Sequence, residues 1–282
     1  MNCKEGISIV FSVLNSGKEI GKSLKSIKEQ NPDQIIVVDG GSSDNTVNEA
    51  KRYTNDVFVA KQGKWNQLKV ALSKIEYSTV IFAEVDHFYP KDFLKNFIKE
   101  YKDSDYFGMS GTLECYFTNT FFEKGINQFY KIHQYEKGKK DIIGGPAIFK
   151  TLPYKEIIND LDGWNGYSID TRRAQLFEQN NLSLGLGHTV AYQYQKLDLK
   201  GFLKKYFNYG KGDHTFYNFN KKNWTLKRKL RSIFHVFNRY IIDYPLKSFT
   251  VGKPYIAVPF LWLSAIVRYS GWIYSIITKG NR

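Results

Sequence analysis

Cysteine is scarce in this chain of 282 residues, which contains only Cys3 and Cys115 and no C-x-x-C pair. Two isolated cysteines exclude a disulfide-based scaffold and the zinc sites that are built from paired cysteines. The chain also lacks internal repeats, low-complexity linkers and the apolar N-terminal stretch of a secretory signal. Its 42% hydrophobic and 16% aromatic residues are enough for a sizeable core. These observations favour a globular protein with reduced thiols in a cytoplasmic compartment.

Acidic residues are rare in the last third of the chain. Residues 1–195 contain 24 Lys and Arg against 24 Asp and Glu, whereas residues 196–282 contain 17 against 3. The net charge of +14 therefore comes entirely from the C-terminal part. A neutral body with a basic end predicts two regions, 1–195 and 196–282, and an anionic partner for the second.

Four apolar runs in the first half of the chain alternate with segments of helical periodicity. The runs are "GISIVFSV", "DQIIVVDGG", "NDVFVAK" and "STVIFAEVD". In the first helical segment, Ile20, Leu24 and Ile27 share one face. This alternation predicts an α/β fold with a Rossmann-like, doubly wound, mainly parallel sheet and right-handed crossovers. Ligands of such sheets bind at the carboxyl ends of the strands.

Carboxylates stand at two of these predicted strand ends. Asp39 closes a buried run before two glycines, where it either binds polar groups of a ligand or caps the turn. Glu84 and Asp86 follow another run and point the same way if the chain is extended there. A hard divalent cation, with phosphate and water as its other ligands, would offset their mutual repulsion. Taken alone, however, such a pair is more simply explained as solvated loop acids.

Three further residues have both a functional and an ordinary interpretation. Asp170 opens a predicted helix, where the helix dipole favours the ionised form that a general base needs, but a plain N-cap would occupy the same place. Lys64 in "GKWNQ" is either a diphosphate ligand or a solvated surface lysine. Trp164 in "DGWNGY" is either a sugar-stacking residue or an ordinary packed side chain.

The motifs, taken in order, resemble the family 2 glycosyltransferases, which are inverting enzymes of GT-A fold that use nucleotide-diphosphate sugars. The resemblance covers roughly residues 7–195, and its segments are "ISIVFSVLNSGKEIGKSLKSI", "IIVVDGGSSDNTVNEAK", "GKWNQLKVAL", "VIFAEVD", "GGPAIFK" and "GYSIDTRRAQLFEQNN". The block "VVDGGSSDNT" is its most specific part. The resemblance implies a divalent cation, Mg²⁺ or Mn²⁺, as cofactor and a nucleotide-diphosphate sugar as donor.

The resemblance also implies roles for individual residues. The D-x-D metal motif of the family falls on Glu84 and Asp86, and its general base falls on Asp170. The full expected set is Asp170 as catalytic base; Ser12, Asn15, Asp39, Lys64, Glu84 and Asp86 for the nucleotide sugar; Gly144, Gly145 and Trp164 on the acceptor side; and Asp86 and Glu84, joined by His188 or Gln193, for the metal.

Several positions depart from the family pattern. The first strand ends in "SVLNS" rather than Pro-Thr-Tyr-Asn-Glu, and the metal motif is E-x-D, which lengthens one arm by a methylene. The acidic pair that contains the base reads Ile169-Asp170. Where a histidine often follows the next strand, this chain has Gln193 or Gln195, with His188 earlier. The Q-x-x-R-W motif of processive synthases is absent, which argues against a polymerising enzyme.

The C-terminal region interleaves aromatic residues with lysine and arginine from Leu199 onward and then becomes strongly apolar in "PYIAVPFLWLSAIVRYSGWIYSII". This run is long enough to span a bilayer, but Pro259, Arg268 and Gly271 interrupt it, and a charge at mid-membrane is costly. We therefore expect helices lying in the interface of an anionic membrane surface, at the cytoplasmic face of the cell membrane. Such a location suggests a lipid-linked acceptor, such as a sugar on polyprenyl phosphate, or another glycan acceptor.

Three alternatives to these interpretations follow from the same residues. The C-terminal region either meets a membrane or folds back to complete the core. Its basic-aromatic pattern also suits nucleic acid, although the apolar run Ile256–Val267 argues against that partner, and none is expected. The altered metal motif and the missing histidine leave open a catalytically silent GT-A fold that acts as a binding module.

Overall fold

The computed structural model describes residues 3–159, 169–194 and 196–279, which form two compact units. The first unit contains residues up to 116, 137–159 and 169–194, and the second contains residues 117–136 and 196–279. Residues 117–136 therefore belong to the second unit, although the sequence grouped them with the first region.

The first unit is built on a mixed sheet. Its strands are β1 (Lys4–Val13), β2 (Gln34–Asp39), β3 (Val57–Val59), β4 (Tyr77–Ala83), β5 (His87–Phe88), β6 (Gly108–Cys115), β7 (Gly138–Lys140), β8 (Ala147–Lys150) and β9 (Leu184–Gln193). The strand order is β3-β2-β1-β4-β8-β6-β9-β5, and β7 also pairs with β9.

The helices of the two units follow in chain order. They are α1 (Ile20–Lys28), α2 (Thr46–Lys51), α3 (Lys64–Lys74), α4 (Phe93–Lys102), α5 (Phe121–His133), α6 (Thr151–Ile158), α7 (Ile169–Gln179), α8 (Leu199–Asn220), α9 (Leu226–Val236), α10 (Tyr244–Val251) and α11 (Pro254–Lys279). A 3₁₀ turn at Lys221–Asn223 follows α8, and a π-helical segment, Phe237–Asp243, joins α9 to α10.

Strand direction decides which residues meet at one edge of the sheet. Strands β1 to β4 pair in parallel, as helical crossovers require, and this part matches the predicted doubly wound arrangement. Strand β8, in contrast, is antiparallel to both β4 and β6, and β6 is parallel to β9. Since β4 and β6 are both antiparallel to β8, they run in the same direction as each other. The carboxyl ends of β1, β2, β4, β6 and β9 therefore all lie at the same edge.

Each face of the sheet carries its own apolar core. The face covered by α1 and α4 buries Ile20, Leu24 and Ile27, so the helical face read from the sequence is confirmed. The opposite face is covered by α3, α6 and α7 and includes Trp65 and Tyr154. Both cores are close to fully buried, which gives the strand-end loops a rigid support.

The second unit is a helical assembly with its own aromatic core. Helix α5 begins at a capping box in which Thr120 and Glu123 bond each other's backbone N–H groups. The buried side chains of Phe202, Tyr206 and Phe260 pack against one another with ring centroids 4.8–5.9 Å apart. The C-terminal residues therefore form a core with α5 rather than an extended tail.

Candidate active site

The loops that follow β1 and β2 are tied together by three polar side chains. Asp39 is buried, and its Oδ2 accepts hydrogen bonds from the N–H groups of Gly41 at 2.9 Å and Ser42 at 2.8 Å, while its Oδ1 accepts one from the Ser42 hydroxyl. That hydroxyl accepts in turn from the N–H of Asn15 at 2.7 Å, and Asn15 Oδ1 accepts from the N–H of Ser43 at 2.9 Å. Asp39 thus caps its turn and uses three of the roughly four acceptor positions of a carboxylate in doing so.

Ser12 reaches the same edge from β1. It is half-buried and lies opposite Val38 in the parallel pairing of β1 with β2. The structure therefore brings Ser12, Asn15 and Asp39 to adjacent strand ends, as the resemblance implied.

Glu84 and Asp86 follow β4 directly, and their backbone is held on both sides. The N–H of Glu84 donates to the hydroxyl of buried Tyr89 at 2.8 Å. The carbonyl of Asp86 accepts from the N–H of Tyr194, and Asp86 Oδ2 accepts from the Gln193 amide at 3.1 Å. The side chains of Glu84 and Asp86 are 41% and 24% exposed, so both carboxylates remain open to a ligand.

Lys64, the first residue of α3, lies beside the acidic pair. Its Nζ is 4.0 Å from Glu84 Oε2, and the charge of Glu84 raises the pKa of Lys64 against a smaller lowering by burial. The charges of Asp170 and Asp86 raise that pKa further. Lys64 therefore contacts Glu84, and it also interacts electrostatically with Asp86 and Asp170.

Asp170 lies in the first turn of α7, and its carboxylate is half-exposed. It forms an ion pair with Arg173, one turn along the helix, and Arg173 also donates a hydrogen bond to the Tyr154 hydroxyl at 3.2 Å. Burial lowers the pKa of Arg173, but Tyr154 and Asp170 raise it by more, so the guanidinium stays charged. The Asp170 carboxylate is thus open to solvent on one side and fixed by a buried cation on the other.

The acidic pair suits a hard divalent cation. The described residues contain no group of three or more His, Cys, Asp or Glu side chains with metal-binding geometry. Two carboxylates at a surface are the protein ligands that Mg²⁺ typically takes when phosphates and waters supply the rest of an octahedron. The chain turns at residues 85–86 instead of remaining extended, and the exposed carboxylates on either side of Val85 are oxygen ligands of the kind that such a cation takes.

The sequence offered two candidates for the third metal ligand, and the structure places only one of them near the acidic pair. Gln193 contacts Asp86, as described above, and so lies at the site. His188 is exposed, and its N–H bonds to Glu100 on α4. Five residues of strand separate His188 from Gln193, which corresponds to about 16 Å. His188 therefore does not join the acidic pair, because its strand carries it too far back from the sheet edge.

The residues expected on the acceptor side are only partly described. A Cβ on Gly145 would lie 2.8 Å from Glu84 Cγ, whereas a Cβ on Gly144 would meet nothing within 4 Å. Gly145 thus permits the observed position of Glu84, and Gly144 borders open space. Trp164 and Gln195 lie outside the described residues.

Three positioning residues were not predicted from the sequence. Gln67 is buried and donates to the carbonyls at the ends of β1 and β2, at 2.8 and 2.9 Å. Tyr89 holds the backbone of Glu84, and Arg173 holds the carboxylate of Asp170. Each stands three to five residues along the chain from a predicted site residue, and that proximity is the only signal the sequence offers.

The chain belongs to glycosyl transferase family 2, whose sequence profile matches residues 8–162. No curated protein sequence matches it significantly. The matched segment contains the strand-end residues, the acidic pair and the two glycines described above.

Solved structures show the same fold at low sequence identity. A mannosyltransferase from Pyrobaculum calidifontis, in complex with GDP-Man and Mn²⁺, has a TM-score of 0.57 and 16% identity over 93% of this chain and 74% of that chain. Glucosyl-3-phosphoglycerate synthase from Mycobacterium tuberculosis, with Mg²⁺ and UDP, has a TM-score of 0.51 and 16% identity over 70% and 73%. TarS 1–349 from S. aureus has a TM-score of 0.50 and 13% identity over 98% and 92%. The chain is therefore a family 2 glycosyltransferase, and these structures share its GT-A fold.

Proposed function

We propose that the protein is a metal-dependent, inverting enzyme that moves a sugar from a nucleoside diphosphate to a hydroxyl of a lipid-linked or glycan acceptor at a membrane. The observation that carries this proposal is the contact of Lys64 with Glu84, beside Asp86 at the carboxyl end of β4. With a divalent cation on the acidic pair, such a site could hold a diphosphate, and Asp170 could deprotonate a hydroxyl.

The donor side of the site corresponds to the ends of β1, β2 and β4. Asp39 has one acceptor position left for an N–H or hydroxyl of the nucleoside, and Ser12 and Asn15 line the same edge. Glu84 and Asp86 would hold Mg²⁺ or Mn²⁺, which when bound neutralises the charge of the diphosphate leaving group. Lys64 adds a fixed positive charge on the same side.

On the acceptor side, Asp170 acts as the general base. Its open carboxylate oxygen takes the proton of the acceptor hydroxyl. The acceptor oxygen then forms a bond to the anomeric carbon from the face opposite the diphosphate. The bond from the anomeric carbon to the diphosphate breaks, and its electron pair leaves with the nucleoside diphosphate. One displacement of this kind inverts the anomeric configuration. The ion pair with Arg173 fixes the position of Asp170 and leaves its carboxylate half-exposed, which supports its role.

The composition of the second unit supports the proposal that the acceptor is anchored in lipid. Its sequence carries the whole net positive charge of the chain, and the exposed large hydrophobic side chains of the described residues are concentrated there. We infer that the enzyme works at the cytoplasmic face of the cell membrane, where nucleotide sugars and anionic lipids meet. Gly144, Gly145 and Trp164 are proposed to shape the acceptor side.

The test is release of nucleoside diphosphate from UDP- and GDP-sugars with Mg²⁺ or Mn²⁺, using water or a sugar on polyprenyl phosphate as acceptor. Asp170→Asn should lower the rate by about 10²–10⁴-fold, the usual contribution of general-base catalysis. Asp198→Asn is the control, because Asp198 also stands at a helix start, accepts from Gly201 N–H at 2.7 Å and can be replaced by Asn as a cap. A wild type that turns over no donor would favour the silent fold, and an Asp170→Asn enzyme of normal rate would remove Asp170 as the base.

A further inference from the structure

Exposed apolar side chains are distributed unequally between the two units. Among the large hydrophobic residues that are exposed in the described part of the chain, all except Leu14, Val59, Tyr116 and Leu152 belong to the second unit. Isolated exposed hydrophobic residues are common, but a contiguous apolar surface on a soluble protein marks an interaction site.

Helix α9 has an exposed apolar stripe bordered by positive charge. Its stripe consists of Leu226, Leu230 and Phe234, continued by Phe237 in the π-helical segment, and these side chains are 44–71% exposed. At 100° per residue, Lys227 and Arg231 fall on one flank of this stripe and Lys229 falls on the other. A stripe of Leu and Phe between rows of Lys and Arg is the pattern of a helix that lies in a membrane interface.

Helices α10 and α11 also expose large apolar side chains. In α10, Leu246 and Phe249 are 65% and 72% exposed and lie three residues apart on one face. In α11, the exposed large side chains include Tyr255, Trp262, Ile266, Ile273 and Ile277, whose spacing of seven, four, seven and four residues follows one helical face. Among the described residues, α9, α10 and α11 therefore each expose an apolar face.

Helix α11 is long and apolar enough to cross a membrane by length and composition, over Pro254–Thr278 with a mean hydropathy of 1.4, but 39% of that window is buried in the protein. Its inner face is fixed to α8 by close backbone contact. A Cβ on Gly210 would lie 1.8 Å from the Arg268 carbonyl oxygen, and one on Gly271 would lie 2.0 Å from that of Phe207. Because α8 also carries Lys200, Lys204, Lys205 and Lys211, α11 cannot cross a bilayer while it stays packed on α8.

The charge within α11 faces this inner side. Arg268 bonds both carboxylate oxygens of Asp213 on α8, with Nη2 to Oδ1 at 2.8 Å, and a further bond joins Arg268 Nη1 to the Tyr240 hydroxyl at 3.3 Å. The sequence suggested that Arg268 interrupts an apolar surface. The structure instead places this charge in a partly buried pair, so the outer face of α11 carries no charge between Tyr255 and Ile277.

We propose that α9, α10 and α11 form one lipid-docking surface, which inserts these apolar side chains into an anionic leaflet in the plane of the membrane and has no crossing helix. Anionic lipid is the occupant because the flanking charges on α9 are all positive and because three successive helices expose apolar faces together. The purpose of the surface rests on the proposed function, since it keeps the enzyme where a lipid-linked acceptor lies.

The first test is co-sedimentation of the full chain with vesicles of phosphatidylcholine alone or with phosphatidylglycerol added. We expect binding to the anionic vesicles, and the variant Lys227→Gln/Lys229→Gln/Arg231→Gln should bind more weakly by about fivefold for each charge removed. Leu230→Glu/Phe234→Glu should abolish binding, whereas Leu152→Glu, an equally exposed leucine of the first unit, should not. Circular dichroism of each variant would check that it is folded.

The second test needs no charged variant and distinguishes a helix in the interface from one that crosses. Ile266 lies near the middle of α11, so in Trp262→Phe/Ile266→Trp the new indole would be close to the bilayer centre if α11 crossed. We expect stronger fluorescence quenching by lipids brominated near the headgroup than by lipids brominated deep in the acyl chain, measured as the difference from Trp262→Phe.

Both tests are separable from catalysis. Asp170→Asn should bind vesicles like the wild type, so a failure of the proposed chemistry leaves the docking result standing. Donor turnover without vesicle binding would overturn the docking surface alone. Stronger quenching by the deep bromines, or dimer formation that hides the α9 stripe from lipid, would also overturn it.

Discussion

Replacement of Arg173 by methionine tests whether a buried cation sets the position of the proposed base. Arg173 is 8% exposed and joins the half-exposed Asp170 to the fully buried Tyr154 hydroxyl. Methionine fills much of the same volume without a charge, so the change removes both interactions and leaves the apolar packing of the stem largely intact.

The structure allows the effect of this change on stability to be separated from its effect on catalysis. Water can replace the guanidinium at Asp170, because that carboxylate is 49% exposed. Water cannot easily reach Tyr154, so the lost hydrogen bond there should lower the free energy of unfolding by about 1–3 kcal/mol. A carboxylate released from its partner shifts by a fraction of a side-chain length, and a misplacement of about 1 Å costs on the order of 100-fold in rate. We therefore expect kcat to fall by about 10–100-fold while the KM for donor changes little.

The assay combines steady-state kinetics with urea unfolding. Arg173→Lys should recover part of the loss, since lysine keeps the charge but cannot bond Asp170 and Tyr154 with one rigid fork. Arg172→Gln is the matched control, because Arg172 is adjacent and bonds Gln175 at 2.8 Å on the same helix. An Arg173→Met enzyme that is destabilised but keeps the kcat of Arg172→Gln would refute the reasoning, because Arg173 would then be purely structural.

Two glycines yield further predictions. Gly145→Ala should displace Glu84 and raise the half-saturating Mn²⁺ concentration by about 10–100-fold, as changes beside metal ligands do. Gly144→Ala, whose Cβ would border open space, should keep the Mn²⁺ requirement of the wild type. Equal behaviour of the two variants would contradict the contact with Glu84. Gly271→Ala should lower the free energy of unfolding by about 1–3 kcal/mol in a thermal or urea melt, because its Cβ would strike the Phe207 carbonyl, although alanine normally stabilises a helix by about 1 kcal/mol. A stabilised variant would show that the two backbones are not in contact.

The parts of the fold that were predictable are those with a local cause. Ile20, Leu24 and Ile27 share a face because of helical spacing, and the structure buries all three. Asp39 precedes two glycines, and the turn follows from that local chemistry. The reversal of β8 was not predictable in this way, because apolar periodicity is the same in both chain directions.

The parts that were missed depend on pairing between distant residues. The sequence named both Gln193 and His188 as possible metal ligands and could not choose between them, because Gln193 reaches Asp86 only through the pairing of β5 with the end of β9. Arg172 and Arg173 are equivalent in the sequence, and packing against Tyr154 decides which of them turns inward. Arg268 likewise finds its partner 55 residues away, so neither its burial nor the uncharged outer face of α11 was visible in the apolar run.

The most direct measurement is calorimetric titration of UDP and GDP into the protein, with Mn²⁺ or with EDTA. The account predicts that wild type binds one of the two nucleotides more tightly with Mn²⁺, and that Asp86→Asn loses this difference because its acidic pair no longer holds the cation. Affinity that ignores Mn²⁺ in the wild type, or an undiminished Mn²⁺ effect in Asp86→Asn, would contradict it.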